Sequence, residues 1–502
     1  MSNLILLKAY AKIRRPSSFS LIVLIYFLLS LAFIFTLGLT EQEAYYWLWA
    51  KNLDWSYFDH PPLQAWVTAL LTFIFGDHKW VLRLPAFFGN IAVFIIFYNW
   101  TKQKWGKQTA ELCSLLLMST LVFMMGSVIA LPDSLAVPLG LASAIIASKG
   151  YVKRSALLFG LALLAKWTVL FVALGVAYII YRQKRFRPAQ FFQFGLIVIA
   201  IQIPVIWWNI HHGNVTAKFH LYGRHAHTSL TLEQYAGNGI NFLLAQFFSL
   251  GFLITALLIF VWTQRQSIKK FSRDQWNTLF LWSIPGLAIV LISAVQGQIR
   301  FYWTFLSLIP VIAWLGFGMM EKFPEKIKKL RTTIVAMLCF QWSIGWIAGF
   351  YPMGPVIEMA FNLEPDLRRS PMGEFNGWAE WYHDTLLPSG LLDEKTALLG
   401  SDLHVASRLS WTVRNERALN SIGAVGPSKN QFQFWSQPFP PRYKKAVFFG
   451  DNRYDRLNSF DEICNHKVEW KTTPVKAFNL TIKNVYWAYC DSLRQLPLTY
   501  QN

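Results

Sequence analysis

Residues 19–39 (FSLIVLIYFLLSLAFIFTLGL) carry no charged side chain. A run of about 20 apolar residues is what the hydrocarbon core of a bilayer requires of a spanning helix. It is longer than the core of a signal peptide, and no small-residue cleavage site follows it, so it is expected to be retained. Further runs follow at roughly 80–100, 108–126, 133–148, 155–181, 189–209, 238–263, 276–295, 301–319 and 332–352. The chain therefore reads as a polytopic α-helical membrane protein. Its 15% of charged residues sits well below the roughly 25% of a soluble globule.

The net charge of +20 would point to nucleic acid in a soluble protein, but its distribution points to a membrane instead. Residues 1–352 hold 30 Lys/Arg against 11 Asp/Glu, whereas residues 353–502 hold 17 against 16. The excess thus belongs to the apolar part, and no nucleic-acid partner is expected.

Basic clusters fix the expected topology, because they stay on the cytoplasmic side. The run at 155–181 has them at both ends and is expected to be two short helices in a hairpin, with Lys166 at its outer tip. The apolar piece 63–76 is too short to cross, and a crossing there would push Lys102, Lys104 and Lys107 outside; it is expected to lie along the outer interface. Eleven crossings result, with a cytoplasmic N-terminus and an external C-terminal part. This arrangement leaves 23 of the 30 basic residues inside. Residues 1–352 form the expected membrane domain, with a first external loop at 40–79, and residues 353–502 a compact α/β domain. In that domain Cys464 and Cys490 could pair, although nothing in the sequence requires it.

The first external loop is the richest in chemistry: TEQEAYYWLWAKNLDWSYFDHPPLQAW. Its rings, among them Tyr45, Tyr46, Trp47, Trp49, Trp55, Tyr57 and Phe58, are expected at the headgroup level, which would put Glu43, Asp59 and His60 at the membrane surface. Asp133 follows Pro132 at the head of a span, where a helix cap competes with a catalytic role. Arg83 and Lys166 lie inside apolar runs, where an unpaired charge costs at least about 2.5 kcal/mol, so each needs a partner, a wet cavity or a route to the interface. Arg300 opens a span. The loop 211–235 holds five histidines, but their spacing matches no compact zinc pattern, and no metal or other cofactor is expected. Lys218 and Arg224 in that loop are candidates for phosphate or headgroup contact.

Glu43-Ala-Tyr-Tyr-Trp, Tyr57-Phe-Asp-His-Pro-Pro-Leu63, Trp80-Val-Leu-Arg-Leu-Pro-Ala, Leu131-Pro-Asp-Ser134, Gly160-Leu-Ala-Leu-Leu-Ala-Lys-Trp-Thr, Trp208-Asn209 and Gly377-Trp378 together resemble GT-C glycosyltransferases of the family 39/83 kind. That family includes protein O-mannosyltransferases and bacterial lipid A aminoarabinose transferases. The resemblance implies the GT-C fold and an inverting transfer from an undecaprenyl-phosphate-linked sugar outside the cytoplasm of a bacterial inner membrane. The implied acceptor is a glycolipid such as lipid A, with protein hydroxyls as the alternative. It assigns Asp133 to the family's second-loop acid and His60 to the position of a basic residue on the donor phosphate. It also exposes a departure, since Gln42 stands where most relatives carry an acid.

A sugar that leaves its phosphate leaves anionic charge behind, so cations beside that phosphate favour the transition state. His60, Arg83, Lys166 and Arg300 are the outer-face candidates. An acceptor hydroxyl needs a base, and an amide at position 42 cannot serve; the role passes to Glu43, Asp59 or Asp133, or is not needed if the acceptor is already anionic. Gln42, Tyr45, Tyr46, Tyr57, Lys218 and Arg224 complete the expected substrate contacts. A non-enzymatic transporter or binder of polyprenyl-linked glycans would instead line a path at the bilayer midplane with ionisable groups.

Overall fold

The computed structural model describes residues 17–182, 187–220, 230–264, 273–295, 300–361, 371–425, 431–435, 443–452 and 463–494, with Glu364, Leu367 and Phe460. Among these, five helices are long and apolar enough to span a bilayer: Ser18–Thr36, Lys79–Trp105, Ala189–His211, Tyr302–Lys322 and Pro324–Phe350. A sixth span results if the pair Leu232–Leu250 and Thr255–Thr263 counts as one. That pair is bent by 96° where Gly251 takes a φ of 57°, a conformation glycine adopts without a Cβ penalty.

The other expected crossings fall on shorter or broken helices. The run at 108–126 divides into Lys107–Met118 and Leu121–Gly126, because Thr120 turns out of the first and caps the second. Helices such as Asp133–Ser148 can be short because neighbouring helices, rather than lipid, cover most of their surface. Gly89 permits the closest of these approaches, since a Cβ there would meet the Ser134 carbonyl oxygen.

The chain reverses at Lys166, between helix Val152–Ala165 and the 3-10 turn Trp167–Val172. Lys166 stands level with Asp133 at the head of its helix, and Val169 already lies against Gly140, seven residues deeper. Helix Leu63–Phe75 turns Gln64, Thr68 and Thr72 inward and leaves Leu70, Phe73 and Ile74 uncovered. A polar face on protein and an apolar face outward suits a helix lying at the lipid boundary.

The C-terminal part holds a five-stranded mixed sheet in the order β2-β1-β3-β5-β4. Its strands are β1 (Thr396–Gly400), β2 (Ile422–Ala424), β3 (Lys445–Asp451), β4 (Lys471–Ala477) and β5 (Leu480–Cys490). β1 runs parallel to β2 and β3, and β5 runs antiparallel between β3 and β4. Pro474 is tolerated because β4 is an edge strand. Cys464 and Cys490 form a disulfide. One face of the sheet, with Leu399, Phe448 and Ala488, packs on Phe460, Ile463 and Val468. The other face, with Leu398, Val447, Phe449 and Trp487, packs on helix Leu403–Thr412 and on the first external loop.

That last contact corrects the expectation for the loop's aromatic residues. Tyr45, Tyr46, Trp47, Trp49, Tyr57 and Phe58 are buried in protein, and only Trp55, at 53% exposure, remains outside. Helix Glu41–Lys51 lies between the membrane helices and helix Leu403–Thr412, so its rings form a core shared with the C-terminal sheet instead of a headgroup belt. Buried Lys483 of β5 ties the two parts together, with its Nζ 3.3 Å from Asp451 and 3.9 Å from Glu41, over the Trp378 ring.

Candidate functional site

A cleft of about 360 Å³ opens where the membrane helices meet the C-terminal part. Its apolar wall comes from Val93, Val122, Met125, Ile129, Val137 and Phe305, and its polar lining includes Gln42, Asn90, Asp133, Ser134, Tyr302 and Glu374. An apolar trough that ends at a few polar groups suits a ligand with a hydrocarbon tail and a polar head.

Asp133 is the first residue of its helix, with Pro132 as the cap residue and no capping side chain. Its carboxylate accepts a hydrogen bond from Lys166 Nζ at 2.5 Å. The same ammonium lies 4.9 Å from the centroid of Tyr302 and 5.3 Å from that of Trp303, a cation–π cradle. Ion pair and rings together meet the cost of holding a charge within an apolar run.

Trp167, the next residue, stacks on His220 at 5.5 Å, whose Nε2 lies 3.0 Å from the Asp59 carbonyl oxygen. The Asp59 carboxylate accepts from the Tyr45 hydroxyl at 3.3 Å and stands 3.4 Å from His60 Nδ1. His60 itself packs against Trp49 and Tyr46. A continuous path of contacts therefore links Asp133, Lys166, Trp167, His220, Asp59 and His60.

Glu43 and Arg83 form a different arrangement. Arg83 donates to both Glu43 oxygens, at 2.8 and 2.9 Å, and to the Leu37 and Gly38 carbonyls. Glu43 also accepts from the Thr40 and Ala130 backbone N–H groups and from the Thr40 hydroxyl. Both side chains are wholly buried, and neither lines the cleft. Burial alone would raise the Glu43 carboxyl, but the Arg83 charge and these hydrogen bonds outweigh it and hold the group below the usual range. With five donors on two oxygens, this carboxylate anchors the loop.

Tyr57 is equally committed: its hydroxyl lies 3.0 Å from the Trp49 carbonyl oxygen and its ring stacks on Trp49 at 4.6 Å. Tyr45 and Tyr46 belong to the same buried cluster. Gln42 reaches the cleft, Arg300 and Lys218 are exposed, and Arg224, His225 and His227 lie outside the described residues. Among the described residues no group of three or more His, Cys, Asp or Glu could hold a metal ion.

Glu374, in the short helix Pro371–Phe375, was not singled out from the sequence. The segment carries no motif, and its helix belongs to the polar tail by composition. Its placement follows from two contacts at Phe375, whose carbonyl oxygen accepts from Arg408 Nη2 at 2.7 Å and presses on Gly38 so closely that no Cβ would fit there. Arg408 and His404 of helix Leu403–Thr412 both feel the Glu374 charge. Burial lowers Arg408 to about 10 and moves His404 down as well, despite nearby carboxylates that act the other way.

Comparison with known proteins agrees with this architecture. A family profile described as dolichyl-phosphate-mannose-protein mannosyltransferase matches residues 59–208. The lipid A galacturonosyltransferase RgtD of Rhizobium johnstonii is 25% identical over 278 residues, which cover 52% of this chain and 56% of that protein. The match thus spans little more than half of that relative's length. ArnT from Cupriavidus metallidurans, in the apo state and bound to undecaprenyl phosphate, gives a TM-score of 0.61 at 12% identity, over 93% of this chain and 97% of that one. At this identity the likeness establishes the fold.

Proposed function

We propose that this chain, which has the GT-C glycosyltransferase fold, moves a sugar from an undecaprenyl-phosphate carrier to a glycolipid, lipid A, at the outer face of a bacterial inner membrane. The observation that carries this reading is the cleft, an apolar trough leading to Asp133 and its Lys166 partner. The polyprenyl chain lies along Val93, Val137 and Phe305, and its phosphate meets Lys166. As the bond between the sugar C1 and the phosphate oxygen breaks, negative charge grows on that oxygen. A lysine held by Asp133, Tyr302 and Trp303 is already in place to receive it, without reorganisation. Asp133 keeps the lysine aimed, and His60 supplies a second nitrogen through the Asp59 contacts. Lys166 carries the positive charge itself, so the reaction on this reading needs no metal.

The first test is mass spectrometry of lipid A from cells with and without the gene. A single-sugar mass difference on lipid A supports the reading. Unchanged lipid A with altered envelope glycoproteins would assign a protein acceptor, and no change in either would leave a transporter or binder. Lys166→Met is expected to reduce transfer at least about 100-fold, since it removes the cation nearest the developing charge.

A further inference from the structure

Beyond the transfer reading, we infer that the turn between β4 and β5 is a membrane foot: Phe478 enters the lipid leaflet at the end of the last spanning helix and seats the C-terminal sheet on the bilayer. The two strands join through a two-residue turn, Phe478-Asn479, closed by the pairing of Ala477 with Leu480. Both turn residues have positive φ, 51° and 62°, as the hairpin turn that matches strand twist requires. Asparagine takes that conformation readily, whereas a bulky ring takes it at a cost. Among the described residues three positions other than glycine have positive φ, and the other two are asparagines. The Phe478 ring is also 65% exposed, so core packing does not offset the strain. A large apolar side chain held this way without burial points to a use outside the fold.

The surroundings of Phe478 identify that use. Its ring lies 5.3 Å from that of Tyr351, the first residue after the span Pro324–Phe350. On that span Phe340, Ile344 and Ile347 are exposed at helical spacing, and Tyr351 continues the same stripe. Such a stripe on a spanning helix faces lipid, and a tyrosine at its end marks the interface with water. A single exposed apolar residue is ordinary, but Phe478 extends a lipid-facing surface. Helix Met353–Ala360, which follows directly, packs on β5 and leaves Ile357 and Phe361 exposed one turn apart. The nearest charges along the chain, Lys476 beside the turn and Glu358 beside Ile357, are of opposite sign. The contact is therefore apolar and needs no anionic lipid. The same hairpin carries Lys483, whose Nζ meets Asp451 and Glu41. A foot in the leaflet thus sets the depth of the sheet and, through it, of helix Glu41–Lys51.

The test uses the full-length protein in phosphatidylcholine nanodiscs, on a Cys339→Ala background in which the remaining free cysteine, Cys113, is buried. A nitrobenzoxadiazole label is placed at Lys476→Cys, beside the turn. Lys395→Cys is the reference, because β1 runs with β3 and against β5, which puts Thr396 at the end of the sheet away from the turn. Lipids bearing a nitroxide near the headgroup are expected to quench the label at 476 and not at 395, and iodide to act in the opposite order. Phe478→Asn suits the turn better than phenylalanine does, so the hairpin stays folded while the foot is lost. The 476 label is then expected to lose its lipid quenching and to become open to iodide, whereas Phe478→Trp keeps the original pattern. A label at 476 that iodide reaches as freely as at 395, with Phe478 in place, overturns the inference. So does one shielded from both quenchers, which would put protein instead of lipid over the turn, and so does lipid quenching that persists in Phe478→Asn.

Discussion

The Glu43–Arg83 pair is sealed in protein, whereas Asp133 keeps 22% of its side chain exposed at the cleft beside Lys166, and what each ion touches sets what its loss costs. Glu43 and Arg83 are saturated with hydrogen bonds and sealed from solvent, so removing one partner strands the other. Arg83→Met is expected to destabilise the protein by about 3–5 kcal/mol, read as an earlier unfolding transition in detergent. The Glu43 carboxyl is held below its unfolded-state value, so its contribution is complete above the ordinary carboxylate range and is lost as pH falls through the lowered folded-state value. His404 acts on the same side for a different reason: burial keeps it neutral, so acidification below about 6.5 protonates the unfolded chain first and destabilises the fold. His404→Gln should flatten the dependence of unfolding on pH below that point, and an unchanged profile would show that the imidazole contributes nothing. Glu43, Arg83, Asp133 and Lys166 were all visible in the sequence as charges near the outer face. Their pairing was not, because Glu43 finds Arg83 across 40 residues and Lys166 finds Asp133 across 33, through helix packing that no local pattern encodes.

Helix Glu41–Lys51 shows why the element scale was harder to read. A ring with one polar edge suits a headgroup boundary and a buried core with hydrogen-bond partners equally well, so composition does not separate the two. The distinguishing signal is that residues 44–50 (AYYWLWA) are apolar around nearly two full turns, and nine of the helix's eleven residues are buried; a stretch apolar all round belongs inside protein. It is enclosed because the C-terminal sheet closes over it, and Lys483 marks that closure by meeting Glu41 of the loop and Asp451 of β3 at once. Lys483→Met removes a buried cation that Glu41 and Asp451 share. A loss of about 3–5 kcal/mol is expected, with 371–425 becoming more open to limited proteolysis than the membrane helices. Equal protection in the variant would mean that the shared aromatic core holds the two parts together without the ion pair.

At the scale of the whole molecule, the charge distribution sets the expected orientation. Assigning 23 of the 30 basic residues of the membrane part to the cytoplasm follows the bias that sets topology, and it leaves the cleft, the first loop and the sheet on the opposite side. The Cys464–Cys490 disulfide fits the same side, because disulfides persist in oxidising compartments. Of the expected spans, five or six stand among the described residues as helices of crossing length, while the cleft was not legible, since it is assembled from the first loop, four membrane helices and a tail segment distant in sequence. Orientation can be measured directly. On a Cys339→Ala background that keeps the disulfide, Lys395→Cys before β1 should react with a membrane-impermeant thiol reagent in intact spheroplasts, whereas Lys104→Cys at the end of helix Lys79–Trp105 should react only after lysis. Both positions are exposed, so reactivity reports the side and not burial. The reverse pattern would put the cleft in the cytoplasm, where a glycolipid acceptor on the outer leaflet could not reach it, and the proposed transfer could not stand.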